Sequence, residues 1–423
     1  MEKRVWIGID DTDSRRGGCT TYVGAVLIRR IEDAGYGLDG YPRLIRLNPN
    51  CPYKTRGNAA VALPVRADKI ELLEDLVFKV IEEYADLDIE GTDPGAIILV
   101  GEPSEEIRKY YWHVVRDLST IEEAEKIALN NETRLLRWNK GRGVIGALAA
   151  IGADLTMEKT YELIAHRKKE YWGTVRLVDP KSVWLMNEKT YPLTFDNVDE
   201  ETGEIRITPH TPCPVLLGIR GVTPSIVEEA YKMLRIYEPV EFYTIFETNQ
   251  GTDAHLQPMK IADVRENISV IIDGIVKTKP RFTMGGHVFF TLEDETGEIT
   301  CAAYEPTKSF RHVIVELEPG DRITVYGAVK RKTQAFTLNL EKIHVKSLVE
   351  LSIVRQPRCP VCRKRMEKIN EQGYVCKACK TLSSSQEVIM IRRKISPGIY
   401  EVPASARRHL SKPLALSSNY QHC

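Results

Sequence analysis

At 423 residues the chain is longer than one hydrophobic core supports, so about two to four domains are expected. Lys plus Arg balance Asp plus Glu at 59 each, which excludes a uniformly basic nucleic-acid coat and leaves only an uneven charge distribution to carry polyanion binding. No apolar run approaches the ~18 residues of a membrane span, and "MEKRVWIGID" opens with charge before a short apolar strand, so a cytoplasmic location and no membrane partner are expected.

The first strand, "RVWIGI", runs into "GIDDTDSRRGGCTTY", Gly8 to Tyr22, where Asp10, Asp11 and Asp13 crowd together and repel one another. Turn chemistry or helix capping accounts for one Asp. Three at the carboxyl end of a buried strand, with Gly17 and Gly18 next, fit a divalent cation such as Mg²⁺, which takes oxygen ligands and is commonly shared with the phosphates of ATP. Then follow a helix over residues 21–34, strands "RLIRL" and "NAAVALPV", a helix over 68–84, strand "GAIILVG", and helices over 105–115 and 121–129. This alternation makes residues 1–155 an α/β domain. Near its end "GRGVIG", from Gly141 to Gly146, matches G-x-G-x-x-G in form, but it follows helices and no acidic residue sits in the expected setting, so a dinucleotide fold is disfavoured. Lys140, Gly141, Arg142 and Gly143 at the start of an apolar helix offer N–H groups and charge to phosphates, and Lys54 and Arg56 in "KTRGN" approach from another side. For each of these basic residues a solvated surface role competes.

Residues 156–258 read as strand, helix, strands around "EIRI" and "PVLLGIRGV", helix over 224–234 and a last strand, a βαββαβ order of the ferredoxin-like kind. Cys213 lies here with no nameable activating partner, and a buried structural thiol is the simpler role. Residues 259–350 switch to five strands with "FRHVIVEL" between the third and fourth, which matches an OB-fold, with another small β-barrel as the alternative. Phe282, Phe289, Tyr304 and Phe336 are either base-stacking platforms or core.

Five of the nine cysteines, at 19, 51, 213, 301 and 423, are scattered; Cys359, Cys362, Cys376 and Cys379 form two C-x-x-C knuckles, the pattern of a structural Zn²⁺ ribbon over residues 355–384. Fourteen Lys/Arg against four Glu between Arg355 and Lys412 suggest a basic arm that meets a polyanion and can be removed beyond about residue 345 without touching the ATP site. The last part, 385–423, shows neither motif nor periodicity and is open between a flexible arm and a short ordered extension.

Taken in order, "GIDDTDSRRGGCTTY", "NPNCPYKTRGNAA", "NKGRGVIGALAAIG", "ETNQGTDAHL", the OB-like block and the zinc ribbon resemble the archaeal tRNA(Ile) 2-agmatinylcytidine synthetases over about residues 4–384. The resemblance implies a kinase-like first domain and an ATP-dependent ligase. Such an enzyme joins agmatine to C2 of the wobble cytidine in the CAU-anticodon isoleucine tRNA, through phosphorylation of the C2 oxygen and displacement by the agmatine amine. ATP is then split to AMP and phosphates. It further implies Asp10, Asp11 and Asp13 as Mg–ATP residues, and an autophosphorylated Thr20, with Thr21 the alternative and a helix N-cap the plain role for Thr20. An agmatine pocket is expected around Asn249, Thr252 and Asp253, with Gln250 and His255 nearby, between the first two domains. Two competing readings remain: a non-catalytic, nucleotide-sensing RNA-binding protein, for which the Asp cluster has no use, and a replication or transcription factor, which leaves the first 250 residues unexplained.

Overall fold

Residues 2–332, 335–370 and 373–417 are described by the structure, a computed structural model; Cys423 and the end of the 385–423 extension lie outside them. Helices and strands alternate in the first block: β1 (Lys3–Asp10), α1 (Thr20–Asp33), β2 (Arg43–Arg46), β3 (Ala59–Ala67), α2 (Ile70–Tyr84), β4 (Gly95–Val100), α3 (Glu105–Arg116), α4 (Ile121–Asn130), β5 (Arg134–Arg137) and α5 (Val144–Ile151). Its ladders are all antiparallel, and β1 sits between β3 and β4, with Ile7 opposite Leu63 and Ile98. Val5, Trp6, Ile7 and Ile9 are therefore buried on both faces, one under α1 and α2, the other under α3 and α5. Each such side chain contributes roughly 1.5–3 kcal/mol on burial, which is why β1 is continuous and apolar rather than alternating.

The second block contributes β6 (Thr160–Arg167), α6 (Pro180–Thr190), β7 (Thr194–Phe195), β8 (Val215–Gly221), α7 (Pro224–Lys232) and β9 (Val240–Thr248), in the antiparallel sheet order β9-β6-β8-β7. One expectation fails in detail: "EIRI" is not the second sheet strand. Glu204–Ile205 pairs only with Val198–Asp199, and Thr194–Phe195 takes the sheet edge. The two blocks are also not separate sheets. β2 pairs in parallel with β9, Glu247 opposite Arg43 and Thr248 opposite Leu44, giving one ten-stranded sheet. Two edges that would each expose unpaired N–H and C=O groups satisfy one another.

Residues 269–347 form the barrel. Strands Ser269–Val276, Val288–Asp294, Gly297–Ala303, Arg322–Lys332 and Ala335–Ser347 close through the pairing of the first with both the second and the fourth, and helix Phe310–Val315 lies between the third and fourth. This is the OB-fold order. Strands Leu351–Arg355 and Glu387–Ile391 pair as a two-stranded stalk, and beyond it the cysteine knuckles surround a core of only Cys359, Met366, Tyr374 and Cys376 with Cys362 and Cys379 packed against it.

The chain then returns. Strand Gly398–Glu401 adds to the barrel strand Ala335–Ser347, and residues 402–417 lie across the seam where both blocks meet the barrel. Five of the extension's basic side chains pair with acids: Arg393 with Asp321 at 2.6 Å, Lys394 with Glu316 at 2.9 Å, Arg407 with Asp196 and with Glu401 at 2.7 Å, Arg408 with Glu341 at 3.2 Å, and Lys412 with Glu158. The freely basic arm expected from the charge count is thus confined to the ribbon. The rest is an ordered strap.

Candidate active site

The acidic loop begins where β1 ends. Asp10 closes the strand, and Asp11 takes φ +59°, a left-handed conformation that Asp tolerates better than most side chains, with its N–H donating to Asp10 Oδ1 at 2.7 Å. Glycines of α5 allow this. A Cβ on Gly146 would stand 1.9 Å from Asp10 Oδ2, and one on Gly143 2.4 Å from the Asp10 carbonyl oxygen and 2.3 Å from Gly95 N. The turn's own N–H groups are already committed: Lys140 N to Asp93 Oδ1 at 3.1 Å, Gly141 N to Trp138 O at 2.8 Å, Gly143 N to Asp93 O at 2.9 Å. The backbone N–H groups of Lys140, Gly141 and Gly143 are therefore not available as the expected phosphate cradle, and Gly143 with Gly146 makes room for Asp10. From the other side Arg56 ties the loop down, pairing with Asp13 at 3.2 Å and donating to the carbonyls of Gly17 (2.9 Å) and Gly18 (2.6 Å). Gly17 and Gly18 shape the loop without lining the cavity above it.

That cavity, of about 530 Å³, is walled by Asp10, Asp11, Asp13, Thr20, Lys54, Arg56 and Arg142 among the expected residues. Burial raises the carboxyl pKa of all three acids, and repulsion adds to it at two: Asp10 lies well above its ordinary value, through burial and then Asp11, and Asp11 at about 7, through burial and then Asp13 and Asp93. Asp13 rises through burial, partly offset by Arg56. Three carboxylates that resist ionisation next to one another are a donor set lacking positive charge. Arg142 reaches the same space and lies 4.0 Å above the Tyr53 ring.

Cys19, not Thr20, is the N-cap residue of α1. Thr20 heads the helix and accepts a hydrogen bond from the Thr12 hydroxyl at 3.2 Å, so its hydroxyl is not spent on capping. Thr21 meets His166 Nε2 at 3.3 Å and Cys19 Sγ at 3.0 Å. His166 is fully buried, its pKa pushed down to about 3 by desolvation and Arg29, so it is neutral. Both threonines face the cavity. Cys213 is buried with the Arg176 guanidinium 3.5 Å from its sulfur, and burial pushes the neighbouring Cys19 thiol up.

The loop "TNQGTDAHL" is not in the wall. Asn249 holds Arg46 through its backbone N (2.8 Å) and O (2.9 Å), the Thr252 hydroxyl donates to Asn249 O at 2.6 Å, and Asp253 binds Lys342 at 2.5 Å and accepts from Lys412 N at 2.7 Å. Gly251 N and Asp253 N donate to His409 O and Leu410 O, and His255 meets Glu341 at 3.1 Å. The loop leaves β9 facing the strap and the barrel, and this sets its partners. The loop touches the cavity from behind its wall: Gln250 donates to Glu162 Oε2 at 2.5 Å, Asn249 holds the Arg46 backbone and Gly251 N donates to His409 O.

Sequence reasoning missed the opposite wall: Arg46, Glu162, Asp196, Arg220, Arg407 and His409. Glu162 is 4% exposed, 3.5 Å from Arg46 and 3.4 Å from Arg220. A signal existed, since charges inside the apolar strands "RLIRL", "YELIAHR" and "LLGIRG" are costly to bury without a use. Arg407 and His409 had none.

In the ribbon the ligand atoms of Cys359, Cys362, Cys376 and Cys379 all lie within 4.8 Å of one another, the spacing of a tetrahedral four-thiolate site. Among the described residues the three aspartates make no such set. None of the four barrel aromatics is fully buried: Phe282 is 45% exposed, Phe289 and Tyr304 meet edge to face at 5.9 Å between centroids, and Phe336 carries Arg331 above its ring.

An α/β body with a charged cavity, an OB-fold barrel and a four-cysteine ribbon together define an enzyme that acts on nucleic acid. Family models match the chain in three parts: the "TiaS TCKD domain" over residues 6–139, the "TiaS FLD domain" over 141–255 and the "OB-fold nucleic acid binding domain" over 270–346. The isoleucine-tRNA 2-agmatinylcytidine synthetase TiaS of Methanocaldococcus jannaschii is 45% identical over 97% of this chain and 98% of its own, and that of Archaeoglobus fulgidus 45% over 97% of each. Among solved structures, the complex of TiaS with its isoleucine tRNA and ATP superposes with TM-score 0.90 at 43% identity, and the complex with the tRNA, AMPCPP and agmatine with 0.88 at 41%, each covering 99% of both chains. The chain belongs to the isoleucine-tRNA 2-agmatinylcytidine synthetase family and is a tRNA-modifying ligase. No helix among the described residues is long and apolar enough to cross a membrane.

Proposed function

We propose that this chain binds the CAU-anticodon isoleucine tRNA, ATP and agmatine in the cytoplasm and joins agmatine to C2 of the wobble cytidine. The observation that carries this reading is the meeting, in one cavity, of a three-carboxylate loop and a basic wall within a chain alike to the family from end to end. A ring C2 oxygen is a poor leaving group. Transfer of the ATP γ-phosphoryl to it leaves ADP and makes a phosphate ester; the agmatine amine, losing a proton, attacks C2, the C2–O bond breaks and phosphate departs, and hydrolysis of the ADP β-phosphoryl by water to a second phosphate takes the nucleotide to AMP.

Asp10, Asp11 and Asp13 suit Mg²⁺, because hard oxygen donors with raised pKa values gain from a cation; with no preformed three-ligand cluster, one or two of them would bind it alongside phosphates. The ion would neutralise charge on the transferring phosphoryl group. Lys54 and Arg142 are assigned to the phosphates, Arg56 to fixing Asp13, and Thr20, its hydroxyl free of capping, to phosphorylation. Agmatine's guanidinium is assigned to the Glu162 and Asp196 side, with loop 249–253 acting one layer behind through Gln250. The first block is read as kinase-like and the second as ferredoxin-like, and the four thiols as a structural Zn²⁺ site. The test is to incubate protein, Mg²⁺, ATP and agmatine with CAU-anticodon isoleucine tRNA transcript and follow the wobble base by mass spectrometry. Agmatine's added mass at that base is expected; an unmodified base alongside bound tRNA would reject the ligase assignment.

A further inference from the structure

Three cations from three distant segments converge on one dipeptide outside the acidic loop. Lys54 Nζ donates to Pro49 O, Lys330 Nζ to Asn50 O at 3.2 Å, and Arg408 Nη1 to Asn50 Oδ1 at 2.7 Å. Lys330 is also held by Asn267 Oδ1 at 3.1 Å, so it points at this spot from the barrel rather than sweeping solvent. Compensation is incomplete. Arg408 has Glu341 at 3.2 Å, but that carboxylate also serves His255 and Ser411. Lys54 and Lys330 bond only neutral oxygens among the described residues.

A small cavity of about 180 Å³ opens beside Lys54 and Arg408, lined also by Arg46, Pro49 and His409, and it shares Arg46, Lys54 and His409 with the main cavity; Lys330 is outside its lining and bonds Asn50, next to the lining residue Pro49. Arg46 leaves its Nε without a partner. The local field is strongly positive: Lys54 is pushed down by burial and then by Arg408 and Lys330, and His409 well below its ordinary value by Arg46 first. Evolved folds rarely hold like charges at one seam unless an anion of matching charge visits.

We propose that Lys330 and Arg408, with Lys54 shared between the two cavities, form a second oxyanion seat, at the seam of the first block, the barrel and the strap, for a phosphate or pyrophosphate group distinct from the one handled at the acidic loop. The occupant's chemistry rests on the ATP-splitting reading above. A tetrahedral oxyanion matches a seat whose two lysines bond only neutral oxygens, and it comes from one of two sources: a multiply charged phosphate product leaving the main cavity, or a singly charged phosphodiester of the bound tRNA.

The experiment titrates pyrophosphate into the full chain by calorimetry, with Lys330→Gln and Lys330→Arg beside the natural protein, and measures tRNA affinity against salt and ATP affinity on the same samples. Pyrophosphate affinity is expected to fall about tenfold in Lys330→Gln and to recover in Lys330→Arg, with ATP affinity unchanged. An unaltered tRNA salt slope then identifies the product; a slope shallower by about one, with pyrophosphate competing against tRNA, identifies the phosphodiester. Unchanged pyrophosphate affinity and salt slope in a folded Lys330→Gln protein would overturn the seat. Failure of the wobble-base assay with pyrophosphate binding intact would instead count against the ligase reading alone.

Discussion

Asp11 combines a left-handed backbone, a buried carboxyl and two acidic neighbours, Asp13 and Asp93. With its pKa raised to about 7, it holds a proton through mildly acidic pH, and a cation must displace that proton. Mg²⁺ affinity is therefore expected to rise with pH and level off above about 7, with proton release on binding measurable in buffers of different ionisation enthalpy. Asp11→Asn is expected to fold and to lose ATP cleavage by orders of magnitude, because phosphoryl transfer depends on the charge it supplies; near-normal turnover would reject the metal-site assignment. Glu341 runs the other way. Arg408 and His255, with hydrogen bonds from His255 and Ser411, outweigh its burial and hold its pKa down at about 2 against an ordinary 4.5. Its stabilisation is present above the unfolded value and lost as pH falls through about 2, on the order of 3 kcal/mol. Glu341→Gln should lower the midpoint of thermal unfolding at pH 7 and flatten its fall with acid between about pH 4.5 and 2; equal acid profiles would refute the assignment.

Elements were legible where a short repeat or a fixed spacing declared them. β1, α1 and α2 followed from apolar spacing, and the barrel order from five alternating strands with one intervening helix. The cysteine knuckles were readable because a four-thiolate cluster demands local spacing. With a core of four buried residues the ribbon has too little apolar area to fold alone. Replacing Cys376 and Cys379 with Ser should release one zinc per chain, unfold residues 356–386 and weaken tRNA binding while ATP binding persists. Metal analysis that finds no zinc in freshly purified protein would end this assignment. What stayed hidden has a common cause. "GRGVIG" looks like a cradle in sequence, yet the N–H groups of Gly141 and Gly143 go to Trp138 and Asp93, and Lys140 N just before it bonds Asp93 across 47 positions of the chain. The two-residue strand Thr194–Phe195 is too short to show periodicity.

At the scale of the whole molecule the unreadable part is the strap, because its order comes from partners far along the chain: Arg408 meets Asn50 across 358 positions, and Lys412 meets Asp253 across 159. Counting charge gave it the wrong partner, since five of its basic side chains are neutralised by Glu and Asp of the body. A cut after about residue 345 would therefore remove more than a tRNA-binding arm. It would strip the edge strand Gly398–Glu401 from the barrel and take Ala404, Arg407 and His409 out of the cavity wall, leaving Glu341 buried without its guanidinium partner and Asp196 with Arg220 alone at 3.6 Å. Unpairing a buried charge costs roughly 3–5 kcal/mol, so loss of fold and loss of ligand are expected together. Two variants separate the parts. Arg355 and Glu387 are opposite one another at the end of the stalk, so a two-residue turn joining them excises the ribbon and keeps the strap. That variant should retain its unfolding midpoint and its ATP and agmatine binding, while tRNA affinity falls and its salt dependence becomes shallower with the ribbon's lost phosphate contacts. A chain ending after residue 397 keeps the ribbon and loses the strap, and should show the reverse, with zinc retained, a lower unfolding midpoint, and ATP and agmatine binding weakened. Calorimetry and salt-dependent tRNA binding on the pair decide it: full ATP and agmatine affinity without residues 398–417 would show that the cavity stands without its C-terminal wall.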